Sequence, residues 1–215
     1  MTLVAFDFDG TLTQADLTVL LGREHDVAGE IRGLAEQGLR GEVDFATTLR
    51  QRASLLGGMP EARVDAAFER CKLRAGAADL ISDLRRSGVS VAIISGSFER
   101  GIETTLEQAG ITADYVVANR LVLENGAVTG DVDGPLLDGR KGDLLEELAF
   151  GEKLDLRQTV AVGNGATDLS MLQVAGTAIG FDPEPVVEDH CDVVVTSVRK
   201  LQLYFQQHDF IDTDT

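Results

Sequence analysis

The chain has 215 residues, of which 44% are hydrophobic and 26% are charged, and its formal net charge is −17. This length allows one globular core, and the hydrophobic fraction is too high for a disordered chain. The longest apolar runs fall far short of the roughly 18–20 residues that span a bilayer. The first residues lack the basic segment of a signal peptide, so a cytoplasmic protein is expected. The negative charge disfavours nucleic acid and anionic membranes as partners.

Acidic residues number 36 against 19 basic ones, of which only four are lysine. Salt screens the resulting self-repulsion, so this balance favours a halophilic protein from a high-salt cytoplasm. An acidic mesophilic enzyme is the alternative. The two cysteines, Cys71 and Cys191, lie too far apart in the chain to suggest a disulfide framework or a CxxC site.

Apolar runs of strand length alternate with helical patterns through most of the chain. The runs are residues 3–8, 89–94, 115–117, 159–162, 177–180 and 192–195. The helical patterns are 77–86, 98–109 and 141–150, each followed within two residues by glycine. Buried strands that alternate with helices indicate a parallel sheet covered on both faces. The predicted fold class is therefore α/β, with a doubly wound parallel (Rossmann-like) sheet.

Residues 13–74 interrupt this alternation. They contain helical stretches at 27–37 and 44–56 but no strong strand pattern, and they are too long for a simple crossover. We expect a helical cap over residues 13–74, inserted after the first strand into a core of residues 1–12 and 75–215. Farther along, Asn125-Gly126 lies between short apolar runs and predicts a small β-hairpin beside the core.

Four polar clusters either follow a predicted strand or open a predicted helix. In an open α/β sheet, ligands bind at the carboxyl ends of the strands, so these clusters are candidates for one site. They are Asp7-Phe8-Asp9-Gly10-Thr11, Ser95-Gly96-Ser97, Lys141, and Gly163 to Asp168.

Asp7 and Asp9 are two residues apart on an extended segment, so both side chains are expected on one face. Two such carboxylates repel each other and attract a hard cation such as Mg²⁺, which also binds waters and phosphate. The pattern predicts a phosphoryl-transfer site, where the cation offsets repulsion between a carboxylate nucleophile and the phosphate. The simpler alternative is a pair of carboxylates that caps a turn.

The other clusters suggest phosphate and metal contacts. Ser95 offers a hydroxyl, and Gly96 lets a backbone N–H approach an anion closely. Ser97 is predicted to cap the helix that follows. On the last cluster, either Asn164 or Asp168 would ligate the metal, and the other would position Lys141 or a metal-bound water.

Taken in order, the four clusters resemble the motifs of the haloacid dehalogenase superfamily: D-x-D-G-T, a Ser or Thr, a Lys, and a terminal acidic loop. Within that superfamily the chain most resembles the phosphoserine phosphatase family. The supporting stretches are residues 44–56, 95–98, 118–121, 130–132, 141–142 and 160–168. The resemblance implies Mg²⁺-dependent hydrolysis of O-phospho-L-serine to L-serine and phosphate through an aspartyl-phosphate, as a step of serine biosynthesis.

The resemblance also implies catalytic roles. Asp7 would be the nucleophile, and Asp9 would act as general acid and then as general base. Ser95, Gly96 and Lys141 would bind the phosphate. The implied metal ligands are Asp7, Asp9 through its backbone carbonyl, Asn164 and Asp168.

From the cap, Arg52 and Phe45 would hold the substrate carboxylate and exclude water. An arginine fork suits a carboxylate, but the sequence does not decide between Arg52 and the neighbouring Arg50. Asp16 would bind the substrate ammonium, and Thr167 would contact the substrate from the last loop.

Three of these residues depart from the family pattern. Asn164 stands where the family usually has an aspartate, so the metal site loses one formal negative charge. Asp16 stands where a longer glutamate is common, and Thr167 replaces an asparagine seen in many members. The first departure predicts a raised Mg²⁺ requirement.

Several alternatives remain open at this level. The same superfamily includes phosphatases and phosphotransferases that act on other small phosphate esters. A non-enzymatic phospho-acceptor domain would lack the long cap, and Asn164 raises the alternative of an inactive relative. The expected partner is a small molecule, and the expected state is a monomer or homodimer.

Overall fold

The computed structural model describes residues 1–39 and 43–212. Within them the strands are β1 Leu3–Phe6, β2 Ser90–Phe98, β3 Tyr115–Glu124, β4 Ala127–Asp133, β5 Thr159–Gly163, β6 Thr177–Phe181 and β7 Val193–Val195. These seven strands form one sheet in the order β4-β3-β2-β1-β5-β6-β7. Every neighbouring pair is parallel except β3 with β4.

The same residues contain ten α-helices. They are α1 Leu17–Glu24, α2 Ala28–Leu39, α3 Phe45–Ser54, α4 Glu61–Phe68, α5 Ala77–Arg86, α6 Glu99–Gln108, α7 Lys141–Gly151, α8 Leu169–Val174, α9 Pro185–Glu188 and α10 Val198–Gln207. The predicted α/β fold with a doubly wound sheet is confirmed. In the sheet order, β2 and β3 lie on one side of β1 and β5 to β7 on the other. A ligand crevice is therefore expected between β1 and β5, where the order reverses.

The central strand shows why both faces are covered. Side chains alternate between the two faces of a strand. Val4 and Phe6 pack into the larger apolar cluster, together with α5, α6 and α10. Leu3 and Ala5 pack into a second cluster on the opposite face, together with α7 and α8. All four β1 residues are fully buried, so the strand is a continuous apolar run.

Helices α1 to α4 lie between β1 and α5 in the chain. They pack on one another and share the larger apolar cluster with the sheet. The chain leaves and re-enters the core at one point, where Thr13 and Leu73 form an antiparallel bridge. This point lies at the predicted cap boundary, while the division into residues 13–74 and the rest stays a prediction. Within residues 1–39 and 43–212, no helix has both the length and the apolar character to cross a membrane.

The β-hairpin forms, but it is part of the main sheet. Strand β3 pairs in parallel with β2 through its first half and antiparallel with β4 through its second half. Neither glycine nor proline interrupts residues 115–124, so one strand continues where a short strand and a separate hairpin were predicted. The hairpin also holds the cap: the amide of Gly58 donates to Val128, and the amide of Val128 donates to Met59, at 2.8 and 2.9 Å.

Candidate active site

A cavity of about 770 Å³ opens at the carboxyl ends of β1, β2 and β5, beneath α1 and α3. With one exception, Asp168, every predicted site residue lines it. These residues are Asp7, Asp9, Asp16, Phe45, Arg52, Ser95, Gly96, Lys141, Asn164 and Thr167. A larger cavity of about 1040 Å³ lies at the amino ends of β1 to β3 and contains none of them.

Lys141 is the first residue of α7, and its side chain is buried at the base of the cavity. Its Nζ donates to Oδ1 of Asp7 and to Oδ1 of Asp168, at 2.6 Å in each case. Burial by itself would lower the pKa of Lys141, but the two carboxylates outweigh it and the pKa is raised. The ammonium therefore stays charged and holds Asp7 in place.

The carboxyl groups of Asp7 and Asp9 have different surroundings. Burial and the charge of Asp168 raise the pKa of Asp7 to about 6, although Lys141 opposes the shift. The pKa of Asp9 is raised well above its usual range by burial and by the charges of Asp16 and Asp7. A pKa of about 6 leaves Asp7 mainly ionised at neutral pH, whereas the upward shift of the Asp9 pKa favours the protonated form of that group. Such a pair suits a nucleophile beside a general acid.

Strand β1 ends at Phe6, two residues before the end of the predicted apolar run. The chain then turns on the Phe8 carbonyl, which accepts the amides of Thr11, Leu12 and Thr13 at 3.0 to 3.2 Å. Asp9 also reaches the cap, because its Oδ2 accepts the amide of Leu17 at the start of α1 at 3.3 Å.

The loop after β5 separates the roles of Asn164 and Asp168. Asp168 is only 1% exposed, and its Oδ2 accepts the amides of Asn164 and Gly165 at 2.8 and 3.0 Å. Its other oxygen holds Lys141, so Asp168 lies behind the cavity wall. Asn164 faces the cavity, and its Oδ1 accepts the Thr11 hydroxyl at 3.1 Å. The geometry favours Asn164 as the residue of this loop that reaches a ligand.

Strand β2 extends to Phe98, so Ser95, Gly96 and Ser97 belong to its end. The prediction that Ser97 caps the next helix is wrong: the N-cap is Phe98, which makes no side-chain cap hydrogen bond. Ser97 instead lines the cavity, and its buried hydroxyl has no hydrogen-bond partner among the described residues. Pairing with β3 around a register shift between Ser95 and Phe98 extends the strand beyond its apolar run.

Gly96 is enclosed by two side chains. A Cβ at this position would lie 2.5 Å from Cζ of Phe45, so the cap ring rests directly on the glycine. On the other side, Nδ2 of the fully buried Asn119 donates to the Gly96 carbonyl at 3.0 Å. Oδ1 of Asn119 accepts the Leu136 amide at 3.0 Å. No role was predicted for Asn119, although it lies in one of the stretches that carry the family resemblance.

The cap side of the cavity carries an ion pair. Nη1 of Arg52 lies 3.4 Å from Oδ2 of Asp16 and 3.1 Å from the Thr18 hydroxyl. Arg52 is buried, whereas Arg50 on the same helix is exposed, so Arg52 is the arginine that lines the cavity. Asp16 is also the N-cap of α1, and its Oδ1 accepts the amides of Thr18 and Val19 at 2.7 and 3.1 Å. Thr18 is a further cavity residue that the sequence analysis missed.

The charges that line the cavity favour a bound cation. Six acidic side chains, which include Asp44, Asp138 and Glu184, face two basic ones. A phosphate dianion entering this cavity would be repelled unless a cation offsets the carboxylates. Among residues 1–39 and 43–212, no group of three or more His, Cys, Asp or Glu side chains is arranged to hold a metal. The available donors are instead a mixture of carboxylate, amide and backbone oxygens. These suit a hard cation that keeps several waters.

Comparison with known proteins places this geometry in a family. The model of the haloacid dehalogenase-like hydrolases matches residues 4–173. A phosphoserine phosphatase of Halobacterium salinarum is 43% identical over 208 residues, which cover 97% of this chain and 99% of the relative. Another, from Methanocaldococcus jannaschii, is 37% identical over 90% of this chain and 91% of its own length.

Solved structures agree with the sequence relatives. A phosphoserine phosphatase holding a phospho-aspartyl intermediate analogue superimposes with a TM-score of 0.88 at 35% identity, covering 94% of this chain and 98% of its own. A substrate-bound phosphoserine phosphatase complex gives the same TM-score at 34% identity, over 94% and 97% of the two chains. The chain therefore belongs to the haloacid dehalogenase-like hydrolases and, within them, to the phosphoserine phosphatase family of phosphoric monoester hydrolases.

Proposed function

We propose that this chain hydrolyses O-phospho-L-serine to L-serine and phosphate, as a step of serine biosynthesis. The observation that most supports this substrate is the Asp16–Arg52 pair, which lines the same cavity as Asp7. An α-amino acid carries an ammonium and a carboxylate on one carbon. The two charged side chains match these groups in sign and in proximity. The phosphoserine phosphatase relatives support the same substrate.

Mg²⁺ is the cofactor that the donors fit. Asp7, Asp9 and Asn164 all line the cavity and together offer carboxylate, backbone carbonyl and amide oxygens. We propose that the Asp7 carboxylate, the Asp9 carbonyl and the Asn164 amide hold the ion. We assign Asp168 to positioning Lys141 and the loop, because its contacts lie there. When bound, the ion would offset the charge of the phosphate and of the attacking carboxylate.

In the first step, a carboxylate oxygen of Asp7 attacks phosphorus, and the bond from phosphorus to the serine oxygen breaks. The serine oxygen takes the proton of Asp9, so serine leaves as a neutral alcohol and an aspartyl-phosphate remains on Asp7. Lys141 keeps Asp7 in position, and we assign the Ser95 hydroxyl and the Gly96 amide, whose residues line the cavity, to donate to the phosphoryl oxygens. The raised pKa of Asp9 supports its role as the proton donor.

In the second step, water attacks phosphorus and the bond to Asp7 breaks. Asp9, now ionised, takes a proton from that water, and phosphate is released. Phe45 rests on Gly96 above the base of the cavity, so it would limit the access of water during the first step. The proton balance closes, because Asp9 ends the cycle protonated as it began.

Removal of Arg52 should separate recognition of the amino acid from the chemistry. With Arg52→Ala, we expect KM for phosphoserine to rise about 10- to 100-fold, the equivalent of one lost charge-assisted hydrogen bond. For an ester without ammonium or carboxylate, such as ethyl phosphate, kcat and KM of Arg52→Ala should equal those of the unaltered protein. Steady-state phosphate release with both esters makes the comparison.

The matched control is Arg50→Ala, on the exposed side of the same helix, which should change neither ester. Asp16→Asn tests the ammonium end, and asparagine keeps an oxygen that can cap α1. If Arg52→Ala or Asp16→Asn loses the same activity with phosphoserine and with ethyl phosphate, the substrate is not an amino acid. Another small phosphate ester would then be the substrate.

Substitution of Asn164 tests the metal site. Asn164→Asp adds one negative charge and retains an acceptor for the Thr11 hydroxyl. We expect the half-saturating Mg²⁺ concentration to fall by about 10-fold, in the range by which contacts at a metal site change affinity. Phosphate release against Mg²⁺ concentration, together with Mn²⁺ binding followed by electron paramagnetic resonance, measures it. If neither affinity moves, Asn164 is not a ligand.

We also propose a cellular location for this activity. A net charge of −17 and the 43% identity to a Halobacterium salinarum relative support a high-salt cytoplasm. Whether the chain is a monomer or a homodimer stays a prediction.

A further inference from the structure

Arg74 contacts the Asp7–Thr13 loop on the side that faces β6. Its Nη2 donates to the carbonyl of Gly10 at 2.8 Å. Its guanidinium carbon lies 5.0 Å from the centroid of the Phe181 ring at the end of β6, which is cation–π distance. Nε of Arg74 is buried, and no described residue bonds to it. The side chain is thus confined between the loop and the sheet.

Gly10 also lies directly against the Asn164 side chain. The glycine has a φ of +87°, and a Cβ there would lie 2.8 Å from Nδ2 of Asn164. The Gly10 carbonyl belongs to the peptide that links Gly10 to Thr11, whose hydroxyl donates to Asn164. Arg74 therefore fixes the plane of the Gly10–Thr11 peptide. On one side of this peptide the chain continues to Asp9, and on the other the Thr11 hydroxyl connects it to Asn164.

Arg74 also lies at the point where the chain returns from the cap to the core. Its amide donates to the Leu12 carbonyl at 2.8 Å, beside the bridge between Thr13 and Leu73. Backbone and side chain of one residue thus bind two carbonyls of the same loop. A displaced Arg74 would shift the Gly10–Thr11 peptide, one residue beyond Asp9, although Arg74 does not line the cavity.

We propose that Arg74 is a positioning residue for the phosphoryl-transfer step, which keeps Asp9 and Asn164 in their places through the Gly10 carbonyl. This inference rests on the proposed function only in assuming that Asp9 and Asn164 serve the chemistry. Because the support acts on the reacting groups and not on the amino-acid end of the substrate, its loss affects every phosphate ester alike.

The test compares Arg74→Met with Arg74→Lys. Methionine keeps apolar packing on Phe181 but cannot donate to Gly10, whereas lysine can donate. We expect Arg74→Met to lower kcat about 10-fold for both phosphoserine and p-nitrophenyl phosphate, because small displacements of reacting groups are costly. KM for phosphoserine should stay unchanged, and Arg74→Lys should recover part of kcat. Thermal unfolding of each variant gives the fraction folded.

Arg85→Met is the control, since Arg85 is also a hydrogen-bonded arginine, but it is exposed and pairs with Asp114 at the other cavity. It should lower stability and leave kcat unchanged. An Arg74→Met protein that loses stability but keeps kcat would overturn the proposal, as would a loss confined to KM for phosphoserine. If Arg74→Met does not fold, Arg74→Lys decides alone: a kcat equal to or partly below that of the unaltered protein, to the same extent for both esters, supports the donor. A full loss of kcat, or a change confined to KM for phosphoserine, overturns it.

The two proposals fail in different ways. If the unaltered protein hydrolyses p-nitrophenyl phosphate but not phosphoserine, the proposed substrate is wrong, and the role of Arg74 is still measured with the aryl ester.

Discussion

Asp7→Asn should abolish turnover while leaving the protein at least as stable. Asparagine has nearly the shape of aspartate but cannot attack phosphorus as a carboxylate, so we expect kcat to fall by at least about 10⁴-fold. The stability expectation follows from the pKa of Asp7, which is raised to about 6 by burial and by Asp168. At pH 7 the unfolded chain ionises this group more readily than the folded one. The ionised carboxylate therefore destabilises the fold, and a neutral side chain removes that term.

The measurements are phosphate release and urea unfolding at pH 7. Asp189→Asn, at an exposed aspartate, is the control and should change neither quantity. Activity of Asp7→Asn within tenfold of the unaltered protein would show that another group is the nucleophile. A marked loss of stability would show that the ion pair with Lys141 outweighs the cost of burial.

Lys141→Met should have the largest effect on stability. It leaves the carboxylates of Asp7 and Asp168 buried, close together and without their shared cation. Breaking a buried ion pair by removing one partner costs about 3–5 kcal/mol, and we expect a loss of that size in the free energy of unfolding. The pKa of Asp7 should also rise further, because Lys141 lowers it. At neutral pH, more of the nucleophile would be protonated, and Asp7 would also lose the contact that positions it, so kcat should fall by about 10²-fold.

A second variant separates the two effects. Lys141→Met with Asp168→Asn removes one of the two uncompensated charges, so stability should recover in part while activity stays low. Lys200→Met, at an exposed lysine, is the control for the loss of a lysine as such. Urea unfolding and phosphate release at several pH values make the test. A Lys141→Met protein of normal stability would contradict the account of the buried triad.

The sequence was sufficient for the fold class and for most of the cavity. Strands and helices alternate in clear apolar patterns, and the topology of a doubly wound sheet brings the ends of distant strands together. Asp7, Ser95, Lys141 and Asn164 could therefore be grouped before their distances were known. All four line one cavity in the structure, where Lys141 contacts Asp7 across 134 residues of sequence.

What the sequence missed depends on tertiary pairing. Ser97 follows an apolar run and resembles a helix cap, but pairing with β3 draws it into the strand and towards the cavity. The sequence leaves two roles open for Asp168, metal ligand or partner of Lys141, and its contacts with Lys141 and the Asn164 amide are the basis on which we propose the second. The choice between Arg50 and Arg52 depends on which face of α3 is buried. Arg74 belongs to no motif, and its role depends on one carbonyl that pattern analysis does not show.

The central claim is hydrolysis of phosphoserine at Asp7, and the most direct measurement is phosphate release from O-phospho-L-serine beside a panel of sugar and alcohol phosphates. Each ester is tested with and without Mg²⁺, at low and molar KCl, with Asp7→Asn as the blank. The account predicts a marked preference for phosphoserine that needs Mg²⁺ and is absent from the blank. Broad turnover of the panel would contradict the substrate, and no turnover at any salt concentration would contradict a working site with Asn164.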